Sequence, residues 1–94
     1  MDCKKLIISG HAFRKIFERH ITVEDIEVVI SKGEIIKEYF DDKPYPSFLL
    51  LGFIGGVPLH VVIARNDTEK FCILVTAYFP DDTIWDLTFK NKII

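Results

Sequence analysis

The hydrophobic pattern of the chain changes period at Gly33, and that change constrains the fold more than any other feature. Before it, apolar residues recur at three-and-four spacing, the repeat of a helix face. After it, short apolar runs are separated by Gly, Pro, Asn and Asp, the mark of strands and turns. A chain of 94 residues has room for one domain with one core. Residues 1–94 are therefore read as one unit, with 79–94 as a C-terminal tail packing on or extending the sheet.

Taken in order, Lys5 to Ser9 is a short apolar-centred opening strand, and Ser9 is placed to cap a helix. In that helix Ala12, Phe13, Ile16, Phe17 and His20 form the inward stripe, with His11, Arg14, Lys15 and Glu18 on the other flank. Thr22 opens a second helix with Asp25 at the capping-box position, Val23, Ile26, Val29 and Ile30 face inward, and Gly33 stops it. Glu34–Phe40, Ser47–Ile54, Leu59–Ala64 and Phe71–Tyr78 read as strands. The run Phe48-Leu49-Leu50-Leu51 suits a strand covered on both faces, and Gly55-Gly56 is a hairpin signal. From Asp81 onward, Trp85, Leu87 and Phe89 alternate like an edge strand, while Trp85 and Phe89 also suit one helical turn. The order β-α-α-β-β-β-β gives an α+β domain: two N-terminal helices packed on a four- to five-stranded antiparallel sheet.

Charge is unevenly spread. The net charge is −2, yet Lys4, Lys5, Arg14, Lys15 and Arg19 against Asp2 and Glu18 make residues 1–20 +3, leaving −5 for the rest. This is either a solvated helix face or a local anion site on a body too acidic to grip nucleic acid indiscriminately. Cys3 and Cys72 are too few and too far apart for a metal knuckle, and Cys72 reads as a buried small hydrophobe. No signal peptide opens the chain and no apolar run approaches a membrane span, so the expectation is free thiols, a reducing cytoplasm and no membrane partner. The motifs of metal, nucleotide-loop and nucleophile-elbow sites are absent, so no metal and no cofactor are expected.

His11 and Arg14 sit in the opening turns of a helix, where free N–H groups attract anions. They read as base and phosphate fork, or as a surface histidine and an arginine paired with Glu18. His60 alternates with Val62 and Ala64 on one strand face, and Thr76 and Tyr78 share a face of the last strand with Leu74. These are candidate proton carriers and hydroxyl contacts, or ordinary strand residues. An exposed apolar patch from Trp85, Phe89, Ile93 and Ile94 would instead mark an interaction module, and a pocket under the Pro44–Pro46 loop would mark a small-ligand binder.

In combination, His11-Ala12-Phe13-Arg14, Arg19, Ile21-Thr22 with Asp25-Ile26, and Gly33-Glu34-Ile35-Ile36 with Tyr39 form the first half of a recognisable pattern. Leu59-His60-Val61-Val62, Val75-Thr76-Ala77-Tyr78, Pro80-Asp81 and Trp85 complete it. The pattern resembles a small prokaryotic family of domains of unknown function that opens with a His-Ala-x-x-Arg-type helix. That family is similar to RelE and ParE type toxins and to barnase-like ribonucleases. The resemblance implies a RelE-like fold and RNA cleavage without metal: a base takes the 2′-hydroxyl proton, a cation steadies the phosphate, and an acid protonates the leaving 5′-oxygen. It implies His11 as base or acid, Arg14 as phosphate clamp, and His60 or Tyr78 as second proton carrier. Lys15 and Arg19 would hold the RNA backbone, and Thr76 would contact phosphate. RNA, an antitoxin-like or other partner protein, and a second copy of the chain are the partners it brings into view. The alternative is a non-catalytic protein- or nucleic-acid-binding module keeping the same fold.

Overall fold

A computed structural model describes residues 1–93. Its elements are β1 (Lys5–Ile7), α1 (Gly10–Glu18), α2 (Val23–Lys32), β2 (Glu34–Tyr39), β3 (Ser47–Ile54), β4 (Val57–Arg65) and β5 (Phe71–Tyr78). The expected element order is observed, and the strands lie side by side as β1-β5-β4-β3-β2. The sheet is mixed rather than antiparallel. β2 to β5 form an antiparallel meander, but β1 pairs parallel to β5 (Lys5 opposite Phe71, Ile7 opposite Ile73). The reason is topological. Hairpins fix the direction of β2 to β5, whereas β1 is followed by a two-helix crossover and is free to enter beside β5 in the other sense.

The helix starts follow local chemistry. The Ser9 hydroxyl accepts from the Ala12 N–H at 3.1 Å. In the capping box of α2, Thr22 Oγ1 accepts from the Asp25 N–H at 3.0 Å and Asp25 Oδ2 accepts from the Thr22 N–H at 3.3 Å. Both helices cover one face of the sheet. Ala12 and Ile16 from α1 and Ile26, Val29 and Ile30 from α2 pack with Phe48, Leu50, Leu59, Val61, Ile63, Leu74 and Ala77. The inward stripe of α1 is narrower than expected: Phe13 and Phe17 are 50% and 72% exposed, and His20 is exposed with φ 61. Ala12 and Ile16 suffice to seat a nine-residue helix, and the phenylalanines fall on its flank.

The hairpin at Gly55 and Gly56 has φ 57 and 83, the left-handed pair that a type I′ turn demands. Ser47 to Gly52 of β3 are buried on both faces, as expected. The second cover is the tail, which is neither strand nor helix. It is a run of turns with a single bridge, Trp85 opposite Lys92. Asp81 accepts from the Thr83 N–H at 2.8 Å and Asp86 from the Thr88 N–H at 3.0 Å, which folds the tail tightly enough to bury Trp85.

Cys3 and Cys72 are not free thiols. They are bonded to each other, with Cα atoms 5.6 Å apart, tying the segment before β1 to β5. Cys72 is fully buried, as its apolar strand implied. No helix among the described residues is long and apolar enough to cross a membrane.

Candidate functional site

β1 pairs with β5 only as far as Ile73, so the last residues of β5 emerge at an open edge, and the end of α1 arrives there. Arg19 follows α1 directly. Its Nη1 donates to Thr76 Oγ1 at 3.2 Å and to the Ala77 carbonyl at 2.9 Å. The two bonds fix the guanidinium plane against the strand. Nε and Nη2 are left as a fork on an exposed side chain, the geometry that receives two oxygens of a phosphate. Thr76 accepts from Arg19, so its own hydroxyl hydrogen is available as a donor.

Tyr78 lies two residues on, so its side chain shares a strand face with that of Thr76, roughly 7 Å along the chain. Across the β4–β5 ladder it faces His60, whose Nδ1 is 3.3 Å from the phenol oxygen. His60 Nε2 is 2.8 Å from the Phe89 carbonyl. A carbonyl only accepts, so Nε2 carries the hydrogen and Nδ1 of the neutral ring accepts from the Tyr78 hydroxyl. Trp85 stands edge-on to the imidazole at 4.5 Å between ring centres. Burial lowers the pKa of His60 from its ordinary 6.5, with the Phe89 carbonyl pulling the other way. Burial raises that of Tyr78 from 10.0, with a smaller electrostatic contribution in the same direction from Tyr39 on β2. The resting pair is therefore a neutral imidazole and an intact phenol.

The structure thus brings together Arg19 with Thr76 and Tyr78 with His60, in succession along the end of β5. It leaves His11 and Arg14 apart from them, whereas Lys15 lies one helical turn before Arg19, whose backbone N–H donates to the Lys15 carbonyl at 3.1 Å. His11, Arg14 and Lys15 lie on α1, where His11 and Arg14 are exposed and have no hydrogen bond or ion pair among the described residues. His11 stands about 12 Å up the helix from Arg19. Glu18, the alternative partner for Arg14, instead meets Lys15 at 4.0 Å. Trp85 is buried and Phe89 half-buried, so neither contributes to an exposed patch; Ile93 is exposed and Ile94 lies outside the described residues. In the Pro44–Pro46 loop Tyr45 is half-buried and stands edge-on to Phe71 at 5.4 Å.

Sequence reasoning missed Phe89. Its role is carried by a backbone carbonyl presented from φ 60, which no side-chain pattern announces. Among the described residues, no three His, Cys, Asp or Glu side chains gather as metal ligands would.

Residues 8–79, about three quarters of the chain, match the model of a family described as a domain of unknown function (DUF4258). The match runs from the entry into α1 to the residue after β5, across all four residues of the β5 cluster. Neither the curated proteins nor the solved structures yield a match.

Proposed function

The chain belongs to this DUF4258 family, and from that premise we propose that it is a metal-independent endoribonuclease of RelE-like toxin type, working at the open end of β5. The observation that carries the reading is the succession of a braced guanidinium, a free hydroxyl and a hydrogen-bonded phenol–imidazole pair along one strand end.

In this reading an RNA phosphate sits on the Nε and Nη2 fork of Arg19 and accepts from Thr76. Tyr78 takes the 2′-hydroxyl proton as its own passes to Nδ1 of His60. The O2′–P bond forms, the P–O5′ bond breaks, and the 5′-oxygen takes a proton from solvent. The Phe89 carbonyl holds Nε2–H of the imidazolium that forms. His60 is fully buried, so it acts through Tyr78 and does not touch the strand. His11, Arg14 and Lys15 hold the flanking RNA along the exposed side of α1. An antitoxin-like partner protein would cover the exposed rings of Phe13 and Phe17 on the same helix.

The second reading is a non-catalytic protein- or nucleic-acid-binding module keeping the same fold. It is favoured by the separation of His11 and Arg14, in the opening turns of α1, from the β5 cluster. One experiment separates the two. Labelled single-stranded RNA is incubated with purified protein in excess EDTA, and the product ends are identified. The enzyme gives 2′,3′-cyclic phosphate ends, with Tyr78→Phe and Arg19→Ala each slowed about 10²-fold or more. Retention of intact RNA on the protein, without cleavage, selects the module.

A further inference from the structure

A hollow of about 320 Å³ opens between β2 and the tail, on the sheet face away from the helices. Its cations are Lys37, Lys90 and Lys92, its polar groups Tyr39 and Asn91, and its apolar floor is Ile36, Leu49 and Trp85. Lys90 is paired with Glu34 at 3.1 Å, but Lys37 and Lys92 meet no carboxylate among the described residues. Lys37 lies 5.6 Å from the centre of the Tyr39 ring and Lys92 5.8 Å from that of Trp85. On a chain whose net charge is −2, two uncompensated ammonium groups at one aromatic-walled hollow are a local reversal of sign.

We infer that this hollow binds a phosphorylated nucleoside, free or as one unit of a single-stranded RNA. The lysines take the phosphate. The half-exposed Tyr39 ring, with Leu49 and the edge of Trp85 behind it, takes the flat base by stacking and apolar contact. Asn91 lies at the same wall with an amide carbonyl and N–H groups for the edge of a base, one N–H already donated to Asp86. The site is distinct from the Arg19 fork and needs no cleavage at Tyr78. It does not follow from the family pattern, since Lys90, Asn91 and Lys92 lie beyond the matched residues.

Trp85 is the single tryptophan of the chain and lines this hollow, so its fluorescence reports on it. Because Trp85 also meets His60, the Lys37 and Lys92 variants separate binding here from binding at the end of β5. The protein is titrated with uridine and adenosine 5′-monophosphates, with inorganic phosphate, and with a 2′-O-methyl oligonucleotide that cannot be cleaved. A saturable change is expected with the nucleotides or the oligonucleotide, and roughly fivefold weaker binding for each of Lys37→Gln and Lys92→Gln, the worth of one exposed charge contact. Response to the oligonucleotide alone, weakened by both variants, assigns the site to the strand; response to the mononucleotides as well assigns it to either. The indole N–H resonance of Trp85 in the unaltered protein gives a second reading that depends on no variant. The inference is overturned if inorganic phosphate binds as tightly as the nucleotides, if both lysine variants bind unchanged, or if no ligand moves either signal.

Discussion

Across the β4–β5 ladder the imidazole of His60 and the phenol of Tyr78 meet at 3.3 Å, with rings 5.3 Å apart and nearly perpendicular. The histidine is sealed under Trp85 and the Phe89 carbonyl, while the tyrosine is half-exposed at the strand end. One member of the pair is thus kept from water and the other offered to it.

The buried imidazole sets a pH dependence of stability. The pKa of His60 is lowered in the fold, so below 6.5 the unfolded chain binds a proton that the folded one refuses. Its contribution is fully present above 6.5 and is lost as pH falls toward the lowered value. Urea midpoints should therefore decline from pH 7.5 to pH 5.5, a window above the range of ordinary carboxylates, and His60→Gln should flatten that decline. Equal slopes in the two proteins would sink the assignment.

The same shift sets the pH profile expected of the proposed RNA cleavage. Accepting a proton requires neutral His60, so the acid limb of the rate belongs below pH 6.5. A limb centred above 7 would exclude His60 as the acceptor.

Arg19 is braced by two acceptors on β5, and lysine cannot copy a planar fork. Arg19→Lys keeps the charge, yet RNA affinity should fall about tenfold. Thr76→Val, which removes one brace and one donor, should fall by less. Electrophoretic mobility shifts at fixed salt measure both. Arg19→Lys binding as tightly as the original would reduce the site to simple charge.

Gly52 is buried on β3 against α2, and a Cβ there would stand 2.7 Å from Val29 Cγ2. Gly52→Ala should cost about 1–3 kcal/mol by overpacking. Combined with Val29→Ala, the alanine at 52 should cost less than it does alone, because the clashing methyls are gone. Thermal melts of the two singles and the double supply the cycle, and strict additivity would place the strain elsewhere.

The Cys3–Cys72 bond spans 69 residues of sequence. Closing a loop of that length removes unfolded-state entropy worth about 4 kcal/mol on the chain-entropy model. Reduction should lower the denaturant midpoint accordingly, and free-thiol titration of the unfolded, unreduced protein should find none. Two free thiols and an unchanged midpoint would show the bond to be absent.

The period change at Gly33 was enough to read the helices and the meander, because alternation and turn residues are local. The caps at Ser9 and Thr22 were legible for the same reason, since each satisfies N–H groups within three residues. The direction of β1 was not, because nothing in Lys5–Ile7 records which neighbour it will meet after a two-helix crossover. The disulfide was hidden likewise, since the spacing of Cys3 and Cys72 becomes meaningful only once β1 lies beside β5. At the site, Thr76 and Tyr78 were visible as one strand face, and Arg19 as a cation. That Arg19 rather than Arg14 meets Thr76 depends on where α1 ends relative to β5, a tertiary matter. Periodicity places Phe13 and Phe17 inward, yet both are exposed, because it gives the width of an apolar stripe and not the width of the surface available to receive it.

At the far side of the sheet, β2 lies last in the strand order, with Glu34, Lys37 and Glu38 all exposed along it. Charges so placed oppose the docking of another strand. The sheet ends on this side in a guarded rim, and replacing Lys37 and Glu38 by isoleucine should invite fibril growth there.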